Sequence, residues 1–172
     1  NFTSADAIVM FEDIHNQRQI VLIEWKYTES YSPTDLHFSK NGTDRLQIYQ
    51  HLFDKSDCVV NIDLLPSFDA LFYEPFYQFM RQQFLAAKME QAHELGADKV
   101  LVLHICPEAN KAFKKITSPV LRDLGKSATE VWKKLLLDQE KFVSISTESL
   151  FSSFHTSVLN DWKTYIQERY RF

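Results

Sequence analysis

Glycine is scarce in this sequence of 172 residues, with Gly42, Gly96 and Gly125 as its three positions. Neither a Gly-rich phosphate loop nor a G-x-S-x-G elbow occurs, because both motifs need closely spaced glycines. Kinase chemistry and hydrolase chemistry of the G-x-S-x-G type are therefore excluded. An apolar content of 45% and an aromatic content of 14% also exclude a disordered or collagen-like chain.

Clustered cysteines and histidines are lacking as well. Cys58 and Cys106 are isolated from one another, whereas a disulfide framework or a zinc site needs clustered ligands. The six histidines show no HxH, HExxH or HxxxH spacing, so no histidine-ligated zinc site is predicted. This cysteine usage favours a reducing, cytoplasmic location.

The chain has no long apolar run. None approaches the roughly 18 residues of a membrane span, and no signal pattern follows Asn1, so a soluble protein without a membrane partner is expected. The net charge of -4 argues mildly against non-specific coating of nucleic acid, but it is compatible with a nuclease that gathers carboxylates at a metal site. Five lysines fit either a basic face or an ordinary solvated surface: Lys111, Lys114, Lys115, Lys133 and Lys134.

Two apolar, β-branched stretches near the start of the chain predict a β-hairpin. Residues 5–12 are ADAIVMFE and residues 18–26 are RQIVLIEWK, with the polar DIHNQ between them. Val21, Leu22 and Ile23 are apolar on both sides of their strand. This pattern predicts a sheet covered on both faces, as in α/β folds.

The longest helical pattern covers residues 74–95. Pro75 suits a first helical turn, and Gly96 suits the position after a helix end. One side of this helix is expected to pack on the sheet, because apolar side chains recur at helical spacing as Phe76, Phe79, Met80, Phe84 and Leu85. A shorter helix is predicted over residues 43–53, with Thr43 as its cap.

The later elements complete an alternating pattern. Residues 98–105 (DKVLVLHI) predict a buried strand, and His104 and Cys106 near its end are predicted to be satisfied core positions. Two helices and a short strand follow in the order helix, strand, helix: residues 127–137, 142–146 and 157–170. This order predicts an α/β fold with a mixed central sheet flanked by helices, in one domain of residues 1–172.

Three ionisable side chains converge in the predicted hairpin. If paired residue numbers sum to about 30, Asp6 faces Glu24 across the two strands. Glu24 and Lys26 then project to one face of the sheet, whereas Trp25 projects to the other. A charged residue rarely ends an apolar run on a buried sheet face unless it is paired or binds a metal, because an isolated buried charge is costly.

The opposed carboxylates of Asp6 and Glu24 favour a site for a divalent cation. Mg²⁺ prefers oxygen ligands from one or two carboxylates, water and substrate phosphate, and it relieves the repulsion between the carboxylates. Such an ion polarises a phosphoryl oxygen and activates water, and Lys26 is placed to orient that water or to stabilise the transition state. The arrangement suits phosphodiester hydrolysis. The spacing alone fits a plain ion pair at a sheet edge equally well, because E-x-K is a common tripeptide.

In their order, these residues resemble the signature of the PD-(D/E)XK nucleases. That signature places an acidic residue on one strand of a hairpin and (D/E)-x-K on the next, followed by a helix and a further strand. Here SADAIV supplies Asp6 and LIEWKY supplies Glu24, Trp25 and Lys26, while Ala5 replaces the signature proline.

The resemblance extends over about residues 3–106 and implies a restriction-endonuclease-like fold that uses Mg²⁺ or Mn²⁺. It implies that Asp6, Glu24 and the backbone carbonyl of Trp25 bind the metal and that Lys26 is the catalytic lysine. The first helix of the family is expected to be missing from this chain.

The segment YEPFYQFMRQQFLAAKMEQ resembles a stretch found in an uncharacterised bacterial branch of the same superfamily. Within it, Gln78, Arg81 and Gln82 are spaced i, i+3 and i+4 and share one helix face. They are predicted to bind substrate, by reaching the scissile phosphate or by orienting the lysine and the metal water, since Arg suits bidentate phosphate contact. The other interpretation is a polar face towards solvent.

The sequence therefore predicts a metal-dependent nuclease that hydrolyses phosphodiester bonds of nucleic acid, with DNA as the expected partner. The alternative is a catalytically inactive module of the same fold that binds nucleic acid or a protein. A sugar-cleaving enzyme fits badly, because Lys26 would hold Glu24 ionised and make it a poor general acid. The oligomeric state stays open, a homo-oligomer included.

Overall fold

A four-stranded mixed sheet forms the centre of the computed structural model, which describes residues 3–53, 58–154 and 160–170. Its strands are adjacent in chain order: β1 (Ala7–Glu12), β2 (Arg18–Trp25), β3 (Lys99–Cys106) and β4 (Phe142–Ser146). β1 runs antiparallel to β2, whereas β2, β3 and β4 are parallel to one another. The α/β fold with a mixed sheet, predicted from the order of the elements, is confirmed.

The hairpin forms in the predicted register. Ala7 pairs with Ile23, so paired residue numbers sum to 30. Asp13 organises the turn, since its Oδ1 accepts hydrogen bonds from the backbone N–H groups of His15 and Gln17 at 2.8 and 3.0 Å. A polar side chain thus closes the turn, and the register decides which residues of β2 share a face.

The two faces of the sheet are covered unequally. Ile20 and Leu22 of β2 are buried, while Val21 and Ile23 on the opposite face are half-buried. All six residues of β1 are exposed. The expected cover on both faces therefore holds in part for β2 and is wrong for β1, which is an edge strand of the described sheet.

α1 (Arg45–Phe53) begins after a carboxylate cap. Oδ1 of Asp44 accepts hydrogen bonds from the backbone N–H groups of Leu46 and Gln47 at 2.9 and 3.3 Å. The predicted cap, Thr43, is wrong by one residue. Asp satisfies the unpaired N–H groups of a first turn as well as any residue does, so the helix starts one position later than expected.

α2 (Phe76–Gln91) packs against β3 and is shorter than predicted. The prediction extended it over residues 74–95, but the helix ends at Gln91 and a separate 3₁₀ turn covers Glu94–Gly96. Of the five apolar positions expected to face the sheet, Leu85 is half-buried and the others are buried. Those four are Phe76, Phe79, Met80 and Phe84.

Helices lie on both faces of the sheet. α3 (Ala128–Leu135) packs with α2 on the face of the sheet to which Ile20 and Leu22 project. α4 (Thr147–Ser152) was not predicted. On the opposite face, the Phe151 ring lies 6.0 Å from the Trp25 ring and 5.5 Å from the Trp162 ring of α5 (Asn160–Tyr170). These aromatic contacts join α4 and α5 to β2.

The C-terminal elements otherwise follow the sequence prediction. β4 coincides with the strand predicted over residues 142–146, and α3 lies within the helix predicted over residues 127–137. α5 covers the described part of the helix predicted over residues 157–170, of which residues 157–159 lie outside the described chain. Within residues 3–53, 58–154 and 160–170, no helix has the length and apolar character needed to cross a membrane.

Candidate active site

Asp6, Glu24 and Lys26 lie at the end of the hairpin where β2 stops. Nζ of Lys26 lies 2.5 Å from Oε1 of Glu24. Oδ2 of Asp6 accepts a hydrogen bond from the Trp25 backbone N–H at 2.8 Å. Glu24 is only 4% exposed, whereas Asp6 is exposed. The hairpin thus presents one buried carboxylate paired with a lysine and one solvent-facing carboxylate beside it.

Two amides from α2 complete the surroundings of Glu24. Nε2 of Gln78 donates to Oε1 of Glu24 and Nε2 of Gln82 donates to Oε2, both at 2.7 Å. The two glutamines are one helical turn apart and therefore reach the same carboxylate. With Lys26, these donors give Glu24 three charge-assisted contacts, which explains how an ionised group tolerates burial.

Arg81 occupies the neighbouring part of the same helix. Its Nε donates to Oγ1 of Thr3 at 3.3 Å, and its guanidinium carbon lies 5.4 Å from the centroid of the Tyr77 ring. Of the three helix residues predicted to bind substrate, Gln78 and Gln82 contact the carboxylate of Glu24 itself. Their role towards a substrate stays a prediction, as does that of Arg81.

His104 on β3 is a site neighbour that sequence reasoning assigned to the core. It is the register partner of Glu24, it is fully buried, and its Nε2 lies 2.7 Å from Oε1 of Gln82. Burial, assisted by the charge of Lys26, lowers the pKa of His104 to about 3. One signal of this role is present in the sequence, a histidine inside the apolar run DKVLVLHI. A buried histidine needs a polar partner, and this partner is Gln82.

Glu74 is a further carboxyl group that sequence reasoning missed. It directly precedes the Pro75 that begins the helical segment, and its Oε2 accepts a hydrogen bond from the Gln78 backbone N–H at 3.3 Å. Burial raises the pKa of Glu74, while the Gln78 N–H and the charges of Arg81 and Lys26 oppose that shift. An acidic residue at a helix boundary is so common that its position alone carried no functional signal.

The oxygen atoms at the end of the hairpin suit a hard divalent cation. Within the described residues Oδ1 of Asp6 makes no hydrogen bond, and Oε2 of Glu24 accepts one bond although a carboxylate oxygen has room for two. Mg²⁺ and Mn²⁺ accept such a sparse set, completed by water. No group of three or more His, Cys, Asp or Glu side chains placed to hold a metal occurs in the described chain. A bound cation would also share Glu24 with Lys26.

The buried His104 has a consequence for acid stability. In the unfolded chain its pKa returns to the ordinary value of 6.5, whereas in the folded protein it is about 3. Between these values the unfolded chain binds a proton that the folded protein does not, so the stability present above pH 6.5 is lost as the pH falls. The loss approaches about 1.4 kcal/mol per pH unit at most.

His104→Met should therefore flatten the acid dependence of the free energy of unfolding, because methionine does not titrate. Urea denaturation of both proteins at several pH values between 6.5 and 4.5 measures the two slopes. Parallel slopes would show that His104 is protonated in the folded protein or accessible to water.

The central sheet is mixed and four-stranded, has helices on both faces and carries carboxylates and a lysine at one end. These features define the class as a restriction-endonuclease-like α/β domain. Residues 1–171 match the model of the family described as Restriction Endonuclease associating with ARP, and the chain belongs to that family. No curated protein and no solved structure matches the chain. Membership of a restriction-endonuclease family gives the chain a nuclease-related function.

Proposed function

We propose that the chain is a metal-dependent nuclease of the PD-(D/E)XK type that hydrolyses phosphodiester bonds, with DNA as its substrate. The observation that supports this most directly is that the Glu24–Lys26 pair and Asp6, which is bonded to the Trp25 N–H, lie at one end of the hairpin in a member of a restriction-endonuclease family. A structural ion pair between Glu24 and Lys26 has no use for a second carboxylate on the adjacent strand, whereas a metal site does.

Each residue of the cluster has its own task in this proposal. Asp6 and Glu24, with the Trp25 backbone carbonyl, would hold Mg²⁺ or Mn²⁺, which supplies Lewis acidity to a phosphate oxygen and to the attacking water. Lys26 stabilises the negative charge that develops on the phosphoryl group. Because its Nζ also contacts Glu24, it helps to orient that carboxylate.

The residues of α2 divide into two tasks. Gln82 already donates to Glu24 and, at 3.5 Å, to the Ser4 carbonyl, so it positions the carboxylate. Gln78 donates through one N–H to Glu24, and its second N–H, together with the Arg81 guanidinium, is proposed to bind the phosphate backbone. Arg suits this task because its planar fork matches phosphate oxygens.

A second function is favoured by one specific observation. Glu24 is 4% exposed and is already compensated by Lys26, Gln78 and Gln82 without a cation. In this alternative the cluster is a stabilising ion pair, and the domain is a catalytically inactive module that binds nucleic acid or a protein. The family description names ARP as an associated partner, and ARP would then be the candidate partner of this chain.

A cleavage assay separates the two functions. The protein should cleave DNA in Mg²⁺ or Mn²⁺ and lose all activity in EDTA, because the proposed chemistry depends on the cation. Linear, circular and single-stranded DNA and RNA, tested in parallel, define the substrate and the need for a free end. Binding of nucleic acid without cleavage in either metal would leave the inactive module as the better account.

A further inference from the structure

Three buried side chains form a continuous line from β3 to the site. Glu24 and His104 are register partners on neighbouring parallel strands, so both project from the face that α2 covers. Gln82 lies between them, with Oε1 2.7 Å from Nε2 of His104 and Nε2 2.7 Å from Oε2 of Glu24. Gln82 is 1% exposed and His104 fully buried, so bulk water cannot replace either contact.

The direction of this hydrogen-bonded line follows from donor chemistry. An ionised carboxylate only accepts hydrogen bonds, so the amide that faces Glu24 must present its NH₂ group. The oxygen of Gln82 then faces His104. An amide oxygen also only accepts, so Nε2 of His104 must carry a hydrogen. The orientation in which the Gln82 amide donates to Glu24 therefore requires the His104 tautomer that carries its hydrogen on Nε2.

The environment of the ring agrees with a neutral histidine protonated at Nε2. Phe79, Phe113 and Phe142 surround it, with ring centroids 4.6, 6.0 and 5.3 Å away. In the described chain Nδ1 of His104 has no hydrogen-bond partner. A second N–H directed into this apolar shell would be more costly than a lone pair, because it would bring a charge into a desolvated site.

We propose that His104 is a positioning residue for Glu24: its Nε2–H fixes the Gln82 amide in the orientation that donates to the carboxylate. Without this N–H the amide is held only by Glu24 and by the Ser4 carbonyl, which lies 3.5 Å from its Nε2. Rotation by half a turn, which would place its oxygen against the oxygen of Glu24, then becomes less costly. Glu24 would then lose its only contact on Oε2 among the described residues, while Lys26 and Gln78 would still hold Oε1.

The effect on cleavage rests on the proposed nuclease function, but the tautomer and the amide orientation do not. The first test therefore uses the wild-type protein labelled with ¹⁵N and observes the ring nitrogens of His104 by NMR at neutral pH. A hydrogen on Nε2 and an unprotonated Nδ1 are expected. A hydrogen on Nδ1, or a charged ring, would overturn the proposal whether or not the protein cleaves DNA.

A matched pair of variants then distinguishes positioning from packing. His104→Gln and His104→Met have unbranched side chains of similar length, but only glutamine offers an N–H. In His104→Met the side-chain NH₂ protons of Gln82 should exchange with solvent faster than in the wild type, and His104→Gln should restore their protection. Equal protection in all three proteins would overturn the proposal.

For an active enzyme, His104→Met should lower kcat on the order of tenfold with little change in KM, and His104→Gln should recover most of that loss. In a Gln82→Met background the same His104→Met change should have almost no further effect, because the line is already broken. Equal losses in the two His104 variants, or additive losses in the double variant, would assign His104 to core packing alone. Absence of cleavage in the wild type would reject the proposed function and leave the NMR results to decide this proposal.

Discussion

Lys26→Met should lower the rate of DNA cleavage by a factor on the order of 10²–10³, comparable with the loss of one oxyanion-hole donor, while the protein still binds Mg²⁺. Methionine keeps the length and apolar stem of the side chain but removes the ammonium group that lies 2.5 Å from Glu24. The chemical step then loses the charge proposed to stabilise the transition state. Single-turnover kinetics at saturating Mg²⁺ measure the effect on chemistry alone.

Metal affinity should move in the opposite direction from activity in this variant. Lys26 and a divalent cation both seek the carboxylate of Glu24, so removing the lysine removes a competitor and a like charge. Binding of Mg²⁺ or Mn²⁺, measured by calorimetry, should persist or tighten. Lys40→Met is the matched control, because Lys40 is exposed, and it should change neither quantity. Unchanged cleavage by Lys26→Met would remove Lys26 from the catalytic residues.

Glu24→Gln should abolish cleavage for a different reason, through loss of the metal. The substitution keeps the shape of the side chain but removes the negative charge and one oxygen atom of a proposed ligand. We expect metal affinity to fall by at least about tenfold, by comparison with the cost of disturbing ligand supports, and cleavage to fall to background. Glu140→Gln is the matched control, since the Glu140 side chain is 85% exposed.

The two substitutions together separate a catalytic cluster from a structural one. Calorimetry and circular dichroism of each variant and of the wild type are the deciding measurements. A catalytic cluster predicts opposite changes in metal affinity from Lys26→Met and Glu24→Gln, with both variants folded. If both variants unfold and the wild type itself binds neither Mg²⁺ nor Mn²⁺, Glu24 and Lys26 form an ion pair that stabilises the fold, and the inactive module is the better account.

Local patterns predicted the hairpin and the helix residues that reach it. The polar segment of five residues between the two apolar strands centres the hairpin near residue 15, and the observed pairing of Ala7 with Ile23 is the predicted one. Likewise, the spacing of Gln78 and Gln82 placed both on one side of a helix, and both contact Glu24. Period and spacing are properties of a single element, so the sequence alone suffices to predict them.

The missed residues depend on contacts between elements distant in the chain. His104 lies 80 residues after Glu24, and only the parallel pairing of β2 with β3 places them side by side. The pKa of Glu74 is raised by burial, which depends on the packing of several segments and not on one element. The exposure of β1 was missed for the same reason, because an apolar strand looks alike at the edge and at the centre of a sheet.

The alternation of β2 lets the two sides of the strand change independently during evolution. Glu24 meets Lys26, Gln78 and Gln82 on one face, while Trp25 between them packs on Phe151 on the other. Substitutions at position 25 can therefore adapt the strand to a different α4 without altering the side chains of the cluster. The side chain in the middle of this E-x-K tripeptide is therefore constrained by the helix on the opposite face of the sheet and not by the side chains of the cluster.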